Sequence, residues 1–244
     1  MQNTNFKQII RIRRGWLTIL FYCTISGVIA QASNPPDSVK QATLSFRPKP
    51  VTGRSFILPA ALITTGALGI SGKFVISNLE IKEERDEHFQ TFQTSIDNYL
   101  QYAPLAAGYG MLIGNKEHNV WWYTEKVVMT ELIVTTTVQA TKRITKVTRP
   151  DGSPYSFPSG HTAQAFASAV IFSEEFAQHK PWLAATAYTS AVTVGVLRVL
   201  NNKHWASDVI AGAGFGILSA KASEWIVDSY NRKHHAKHTY TYQF

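Results

Sequence analysis

Cysteine is almost absent from this chain of 244 residues, which contains only Cys23. Because Cys23 falls inside a predicted export signal, the processed chain would hold no cysteine. Export normally permits disulfides, but none could form here, so packing alone must hold the fold. The sequence shows no internal repeat, and its length suits one domain with a sizeable core.

Acidic residues are missing from the first 32 positions, which carry four basic residues. An apolar run of 16 residues, GWLTILFYCTISGVIA, comes next, and Ala30-Gln31-Ala32 supplies a small-x-small cleavage pattern. We predict that residues 1–32 are a secretory signal cleaved after Ala32. An uncleaved anchor helix is the alternative, although this run is slightly short for a membrane span.

Charged residues make up only 16% of the chain, and half of its net charge of +8 comes from those four basic residues. The rest of the sequence has no basic run interleaved with aromatic residues, which argues against a nucleic-acid partner. An anionic small molecule or a membrane surface fits the charge as well. The mean hydropathy of −0.09 is low for a protein made mostly of membrane spans.

Pro, Gly, Asn and charge clusters divide the remaining chain into helical segments. Residues 33–54 are predicted to be an extended lead-in, and residues 79–95 a charged, solvated helix or loop. Helices are predicted at 56–72, 95–114, 119–147, 160–179, 182–200 and 204–230. A strand is the alternative at 128–141, where β-branched residues crowd, but segment length favours helix. The predicted fold is an all-α six-helix bundle over residues 55–230.

The polar tail, residues 231–244, contains three histidines. These histidines have no acidic or cysteine partner at metal-ligand spacing, so we expect a solvated tail and no metal.

Two basic residues close the third predicted helix. Lys142 and Arg149 are seven residues apart, nearly two helical turns, so they are expected on the same face about 10.5 Å apart along the axis. Pro150 would end the helix. The alternative is that both cations merely interact with the helix dipole at its C-terminus.

The motif Pro158-Ser159-Gly160-His161 opens the fourth predicted helix. Ser159 is a natural N-cap, and the helix start behind it offers free N–H groups to a phosphate. Gly160 would let an anion approach the backbone closely. His161, in the first turn, could exchange a proton with that anion, although it could equally form a local hydrogen bond.

A third group of ionisable residues surrounds the start of the last predicted helix. Arg198 ends one helix, and His204 and Asp208 are one turn apart, about 5.4 Å along the axis. The carboxylate can accept the imidazole N–H and fix its tautomer, which is what a nucleophilic histidine needs. In an up-and-down bundle these three groups would meet at one end.

The motifs Lys142-x6-Arg149-Pro150, Pro158-Ser159-Gly160-His161 and Arg198-x5-His204-x3-Asp208 resemble the three-part signature of the type 2 phosphatidic acid phosphatase (PAP2) family. That family shares its site with class A acid phosphatases and vanadium haloperoxidases. The similarity covers about residues 95–228. One position departs from the pattern, because Leu197 stands where the family usually has serine.

The resemblance implies a role for each motif residue. The phosphoryl oxygens would be bound by Lys142, Arg149, Arg198 and the N–H groups of Ser159 and Gly160. His204 would attack phosphorus, Asp208 would orient it, and His161 would protonate the leaving oxygen. No metal or other cofactor is expected, and vanadate would bind only if the protein were a haloperoxidase.

The implied activity is phosphatase action on a lipid phosphate or pyrophosphate, such as lipid A, undecaprenyl pyrophosphate or phosphatidate. The alternatives are a soluble exported acid phosphatase, a vanadate-dependent haloperoxidase and a non-catalytic envelope protein. We expect an exported, membrane-associated domain in the periplasm or cell envelope. Residues 56–72 are the least certain membrane crossing, and Trp121-Trp122-Tyr123 is either an interfacial anchor or core.

Overall fold

The computed structural model describes residues 51–71, 77–114, 120–178 and 180–234. The predicted signal peptide, nearly all of the lead-in and most of the tail lie outside these ranges. The described residues form α-helices and no strand, which confirms the all-α prediction. After a 3-10 turn at Gly53–Phe56, the helices are α1 (Ile57–Ile70), α2 (Asn78–His88), α3 (Asp97–Leu100), α4 (Ala103–Gly114), α5 (Val120–Thr145), α6 (Gly160–Phe176), α7 (Pro181–Leu200) and α8 (Ala206–His234).

The described residues contain eight helices, so the prediction of six was wrong. The charged segment forms α2, which begins where the Ser77 side chain accepts a hydrogen bond from the Glu80 N–H (3.4 Å). The segment 95–114 divides into α3 and α4. Pro104 lies in the first turn of α4, where its missing N–H costs nothing, whereas within one continuous helix it would break the hydrogen-bond ladder.

The β-branched stretch 128–141 lies within α5 and is helical throughout. Each threonine hydroxyl on one face bonds the carbonyl four residues earlier: Thr137 to Ile133 (2.7 Å), Thr141 to Thr137 (2.7 Å) and Thr145 to Thr141 (2.9 Å). These bonds satisfy the hydroxyls inside the helix, so β-branching does not prevent it.

Helix α8 packs against α1, α5 and α6, and α6 also packs against α4 and α7. Glycines let α8 approach α6 closely. A Cβ on Gly216 would lie 2.2 Å from the Ala163 carbonyl oxygen, and one on Gly212 would lie 2.6 Å from that of Ser159. This approach fixes the start of α6 against the start of α8. The main core contains apolar residues from α4 to α8, among them Leu105, Tyr123, Phe172, Phe176, Leu183 and Ile217.

Two segments of the described chain, Gly53–Ile70 and Pro181–Leu200, are long and apolar enough to cross a membrane. The first contains most of residues 56–72, the stretch that the sequence made the least certain crossing. Its surface is apolar, with Ile57 65% exposed. In the aromatic motif at the start of α5, Tyr123 is fully buried in the core, as one of the two alternatives predicts, whereas Trp121 is 75% exposed.

Candidate active site

The predicted site residues meet at one end of the bundle. The end of α5, the loop before α6, the end of α7 and the start of α8 supply them, as the up-and-down arrangement predicts. The charges of Arg198 and Asp208 act on both the Arg149 and the His204 side chains. Lys142 acts on His204 and is itself repelled by Arg149. The structure therefore brings the three sequence motifs together.

Lys142 lies in the last turn of α5 and is buried. Its Nζ donates to the carbonyl oxygens of Tyr155 (2.6 Å) and Ser156 (3.1 Å). A Cβ on Gly160 would lie 4.0 Å from its Cε, so the lysine stem passes the start of α6. Burial, followed by repulsion from Arg149, lowers the pKa of Lys142 to about 8.

Arg149 does not share a helical face with Lys142, which corrects the prediction. Helix α5 ends at Thr145, and Lys146 adopts a left-handed backbone (φ 50°) that turns the chain. Proline also disfavours helical backbone at the residue before it, which here is Arg149. The Arg149 N–H instead donates to the Ser153 carbonyl (2.8 Å). Arg149 thus reaches the site from a loop.

Arg198 lies in the last turn of α7, as predicted. One terminal nitrogen of its guanidinium (Nη1) donates to Asp97 Oδ2 (2.6 Å), and both side chains are buried. The Nε atoms of Arg149 and Arg198 are buried and have no hydrogen-bond partner within the described part of the chain. Two unpartnered guanidinium donors at one site favour a bound oxyanion.

His204 and Asp208 form the predicted pair, although His204 precedes α8 instead of lying on it. His204 Nδ1 is 3.4 Å from Asp208 Oδ2, and both residues are buried. The same oxygen accepts from the Trp205 N–H (2.9 Å) and from the Ser156 hydroxyl. A carboxylate can only accept a hydrogen bond, so Nδ1 of His204 carries the proton that it donates to Asp208. Nε2 then carries the lone pair.

Burial lowers the pKa of His204 to about 4, and Lys142 and Arg198 add to this effect against the opposing influence of Asp208. The imidazole is therefore neutral at pH 7. Neutrality is the state that a nucleophilic histidine requires.

Ser159 caps α6, as predicted, by accepting from the Thr162 N–H (3.4 Å). Its own N–H is already donated to the Asp208 carbonyl (3.0 Å), so it is not available to a phosphate. Gly160 is the first residue of α6, where intrahelical acceptors are missing. Of the two amides predicted to bind phosphate, the geometry leaves that of Gly160.

His161 points towards α3. Its Nε2 is 2.8 Å from Asn98 Oδ1, which accepts the imidazole N–H. Burial, followed by repulsion from Arg198, lowers the pKa of His161 to about 4. An anion bound among the cations would reverse that repulsion and favour the protonated form.

Sequence reasoning missed three residues of this site: Asp97, Asn98 and Ser156. Asp97 gave a usable signal, because it is the sole acidic residue between His88 and Lys116. A lone acid that an apolar segment buries needs a partner, which here is Arg198. Asn98 and Ser156 gave no such signal, since polar neutral residues are common in loops and helix starts.

Asp97 and Asp208 offset part of the positive charge of Lys142, Arg149 and Arg198, and Asp151, which is paired with Lys203, also acts on Arg149. Within the described residues, no three His, Cys, Asp or Glu side chains are placed to share a metal ion. The arrangement combines donors for an oxyanion, a neutral imidazole with its lone pair free, and a second imidazole able to carry a proton.

Comparison with known proteins agrees with the motif resemblance. The family model of the PAP2 superfamily matches residues 126–232, a range that includes every predicted site residue. A curated lipid A 1-phosphatase of Porphyromonas gingivalis is 39% identical over 154 residues, which are 61% of this chain and 34% of the relative. The chain thus spans about a third of the length of that relative.

Two solved structures match part of the chain. The crystal structure of Aquifex aeolicus LpxE is 21% identical, with a TM-score of 0.46, and the match covers 58% of this chain and 93% of that one. The first transmembrane PAP2-type phosphatidylglycerolphosphate phosphatase from Bacillus subtilis is 20% identical, with a TM-score of 0.47, and the match covers 72% and 96%.

Proposed function

We propose that the chain is a phosphatase acting on a lipid phosphate, because the family model of the PAP2 superfamily matches residues 126–232. The observation that carries this proposal is the meeting of three buried or half-buried cations with the His204–Asp208 pair. The unpartnered Nε atoms of Arg149 and Arg198 are suited to hold phosphoryl oxygens.

The first half-reaction transfers the phosphoryl group to the protein. Nε2 of His204 attacks phosphorus while Asp208 holds the Nδ1 proton, and the bond between phosphorus and the leaving oxygen breaks. His161 gives its proton to that oxygen. Lys142, Arg149 and Arg198 offset the negative charge that develops on the phosphoryl oxygens.

The second half-reaction releases phosphate. His161, now neutral, accepts a proton from water as the water oxygen attacks the phosphohistidine. The bond between phosphorus and Nε2 breaks, which regenerates neutral His204. Since the cations already neutralise the phosphoryl group, we propose that turnover needs no metal and continues in EDTA.

The substrate that best fits is lipid A or a related lipid phosphate. The relative at 39% identity is named a lipid A 1-phosphatase. Apolar surfaces on two potential spans would hold such a substrate's acyl region beside the protein. We propose that the domain is exported and membrane-associated with its site facing outward, and that a soluble exported acid phosphatase is the alternative that fractionation would reveal.

Phosphate release from purified protein tests this function. The panel is lipid A, undecaprenyl pyrophosphate, phosphatidate and a soluble aryl phosphate, each with and without EDTA. Lys142→Gln and His204→Ala should each lower release from the preferred substrate by roughly 10³-fold while the helical circular dichroism is unchanged. Arg143→Gln is the matched control, since Arg143 is exposed beside Lys142. Full turnover by His204→Ala would contradict the proposal.

A further inference from the structure

Ser156 lies where the three sequence motifs meet. Its hydroxyl donates to Asp208 Oδ2, its carbonyl accepts from Lys142 Nζ (3.1 Å), and its N–H donates to the Val147 carbonyl (2.7 Å). The residue is fully buried. The three polar groups of this one serine therefore join the end of α5 and the loop that follows it to the first turn of α8.

Asp208 receives three donors on a single carboxylate oxygen. Besides the Ser156 hydroxyl, Oδ2 accepts from the Trp205 N–H (2.9 Å) and from His204 Nδ1 (3.4 Å), which is the longest of the three bonds. The other oxygen, Oδ1, is buried and has no hydrogen-bond partner within the described part of the chain. Because a hydrogen bond stabilises the charged carboxylate, each donor makes that oxygen a weaker acceptor for the other two.

The strength with which Asp208 holds the Nδ1 proton sets how readily the opposite nitrogen of His204 takes up a proton. The Trp205 donor is a backbone N–H, so the side chain that competes with His204 for Oδ2 is Ser156. We infer that the Ser156 hydroxyl is a positioning group that limits the pull of Asp208 on His204 and so keeps Nε2 unprotonated. This inference deepens the proposed function, since it takes His204 as the nucleophile.

A substitution at Ser156 leaves the other charged groups around His204 in place. Those groups are Lys142 of α5, Arg198 of α7, and Lys82 and Arg85 of α2, which line a small space with His204. Both α2 cations are paired with Asp86, and Lys203 is paired with Asp151 (2.9 Å). A changed protonation of His204 in a Ser156 variant therefore reports on its bond to Asp208.

Nuclear magnetic resonance of the purified full chain, labelled with ¹⁵N-histidine, measures that protonation without substrate. The His204 signal is the one missing from His204→Asn. Ser156→Ala should raise the pKa of His204 from about 4 by about one pH unit, because Oδ2 then accepts more strongly from Nδ1. At pH 4.5 His204 should be mostly neutral in the wild type and mostly protonated in the variant.

The acid limb of the kcat/KM profile is a second measurement, since it reports on the essential base of the free enzyme. In Ser156→Ala this limb should move upward by the same amount as the titration. Ser156→Cys, whose S–H is a weaker donor, should move both by less.

Ser168→Ala is the matched control. Ser168 is also fully buried, but its hydroxyl donates to the Gln164 carbonyl (2.8 Å) and not to Asp208. Its loss should leave the His204 titration and the acid limb unchanged.

An unchanged His204 titration in Ser156→Ala, or an equal movement in Ser168→Ala, would overturn the role of Ser156. If Ser156→Ala does not fold, Ser156→Cys decides the question by the same titration. A shifted titration in a protein that releases no phosphate from any tested substrate would contradict the proposed function, while the control of His204 by the Ser156 hydroxyl would stand.

Discussion

At the scale of single residues, the site depends on neutral partners as well as on charges. Asn98 accepts the Nε2–H of His161, so it sets the ring's tautomer and orientation. An aspartate there would stabilise imidazolium, and a leucine would remove the acceptor. Asn98 is therefore a positioning residue for the proposed general acid.

Asn98→Asp should raise the pKa of His161 and move the alkaline limb of the kcat profile upward by about one pH unit. The reason is that the acid stays protonated to higher pH beside a carboxylate. Asn98→Leu should move the limb the other way. Tyr99→Phe is the control, because Tyr99 is 78% exposed, and it should leave the pH profile unchanged. If the alkaline limb lay at the same pH in every variant, the assignment of Asn98 would be refuted.

Asp97 holds Arg198 in a buried ion pair whose loss leaves a charge without its partner. We expect Asp97→Asn to lower the free energy of unfolding by about 3–5 kcal/mol. A tetrahedral oxyanion such as inorganic phosphate should restore part of the lost free energy of unfolding by pairing with Arg198. Thermal unfolding with and without inorganic phosphate measures both effects, and a variant as stable as the wild type without phosphate would contradict this account.

At the scale of helices, glycine spacing decides how closely α6 and α8 pack. Gly216→Ala should destabilise the protein by about 1–3 kcal/mol, because a Cβ would collide with the Ala163 carbonyl. A Cβ added at Gly110, in α4, would meet no atom within 4 Å, so Gly110→Ala should stabilise by about 0.5–1 kcal/mol. Chemical denaturation measures the free energy of unfolding of both variants. Equal changes for Gly216→Ala and Gly110→Ala would exclude close packing as the cause of the destabilisation.

Sequence spacing located the cationic and imidazole residues of the site but not how they are presented. The seven-residue spacing of Lys142 and Arg149 predicted that they share one helical face, yet the helix ends between them at the left-handed Lys146. His204 lies just before α8, whereas Asp208 lies in its first turn. Helix ends depend on a few backbone torsions, which residue spacing does not specify.

The fold class followed from apolar segments and their punctuation, whereas the partners of site residues did not. The contacts from α3 to His161 and Arg198 span 63 and 101 positions. Such pairings are set by packing of the whole bundle, and an asparagine carries no sign of which histidine it will meet. Helix α2 was predicted to be solvated because its sequence does not show which distant residues it contacts. In the structure it is bonded to Ser207 and Leu200.

At the scale of the whole molecule, burying imidazoles among cations links stability to pH. The pKa of His204 falls from about 6.5 in the unfolded chain to about 4 when folded. The unfolded state therefore binds more protons between these values, and stability falls as pH drops from about 6.5 to 4. His204 alone should account for about 3 kcal/mol of that loss.

Thermal unfolding at pH 7.5 and 4.5 tests this linkage. His204→Asn should weaken the pH dependence, because the side chain that must stay neutral is gone. Saturating phosphate should weaken it too, since a bound anion favours protonated histidine. A wild-type protein with the same stability at both pH values would contradict a buried, neutral His204.

Trapping a covalent adduct tests whether the lone pair on His204 attacks phosphorus. Purified protein is mixed with ³²P-labelled substrate, quenched in alkali within a turnover and digested for mass spectrometry. We expect an acid-labile, base-stable label on the peptide containing His204, absent from His204→Asn and from denatured protein. Phosphate release at full rate with no label on His204 would contradict it.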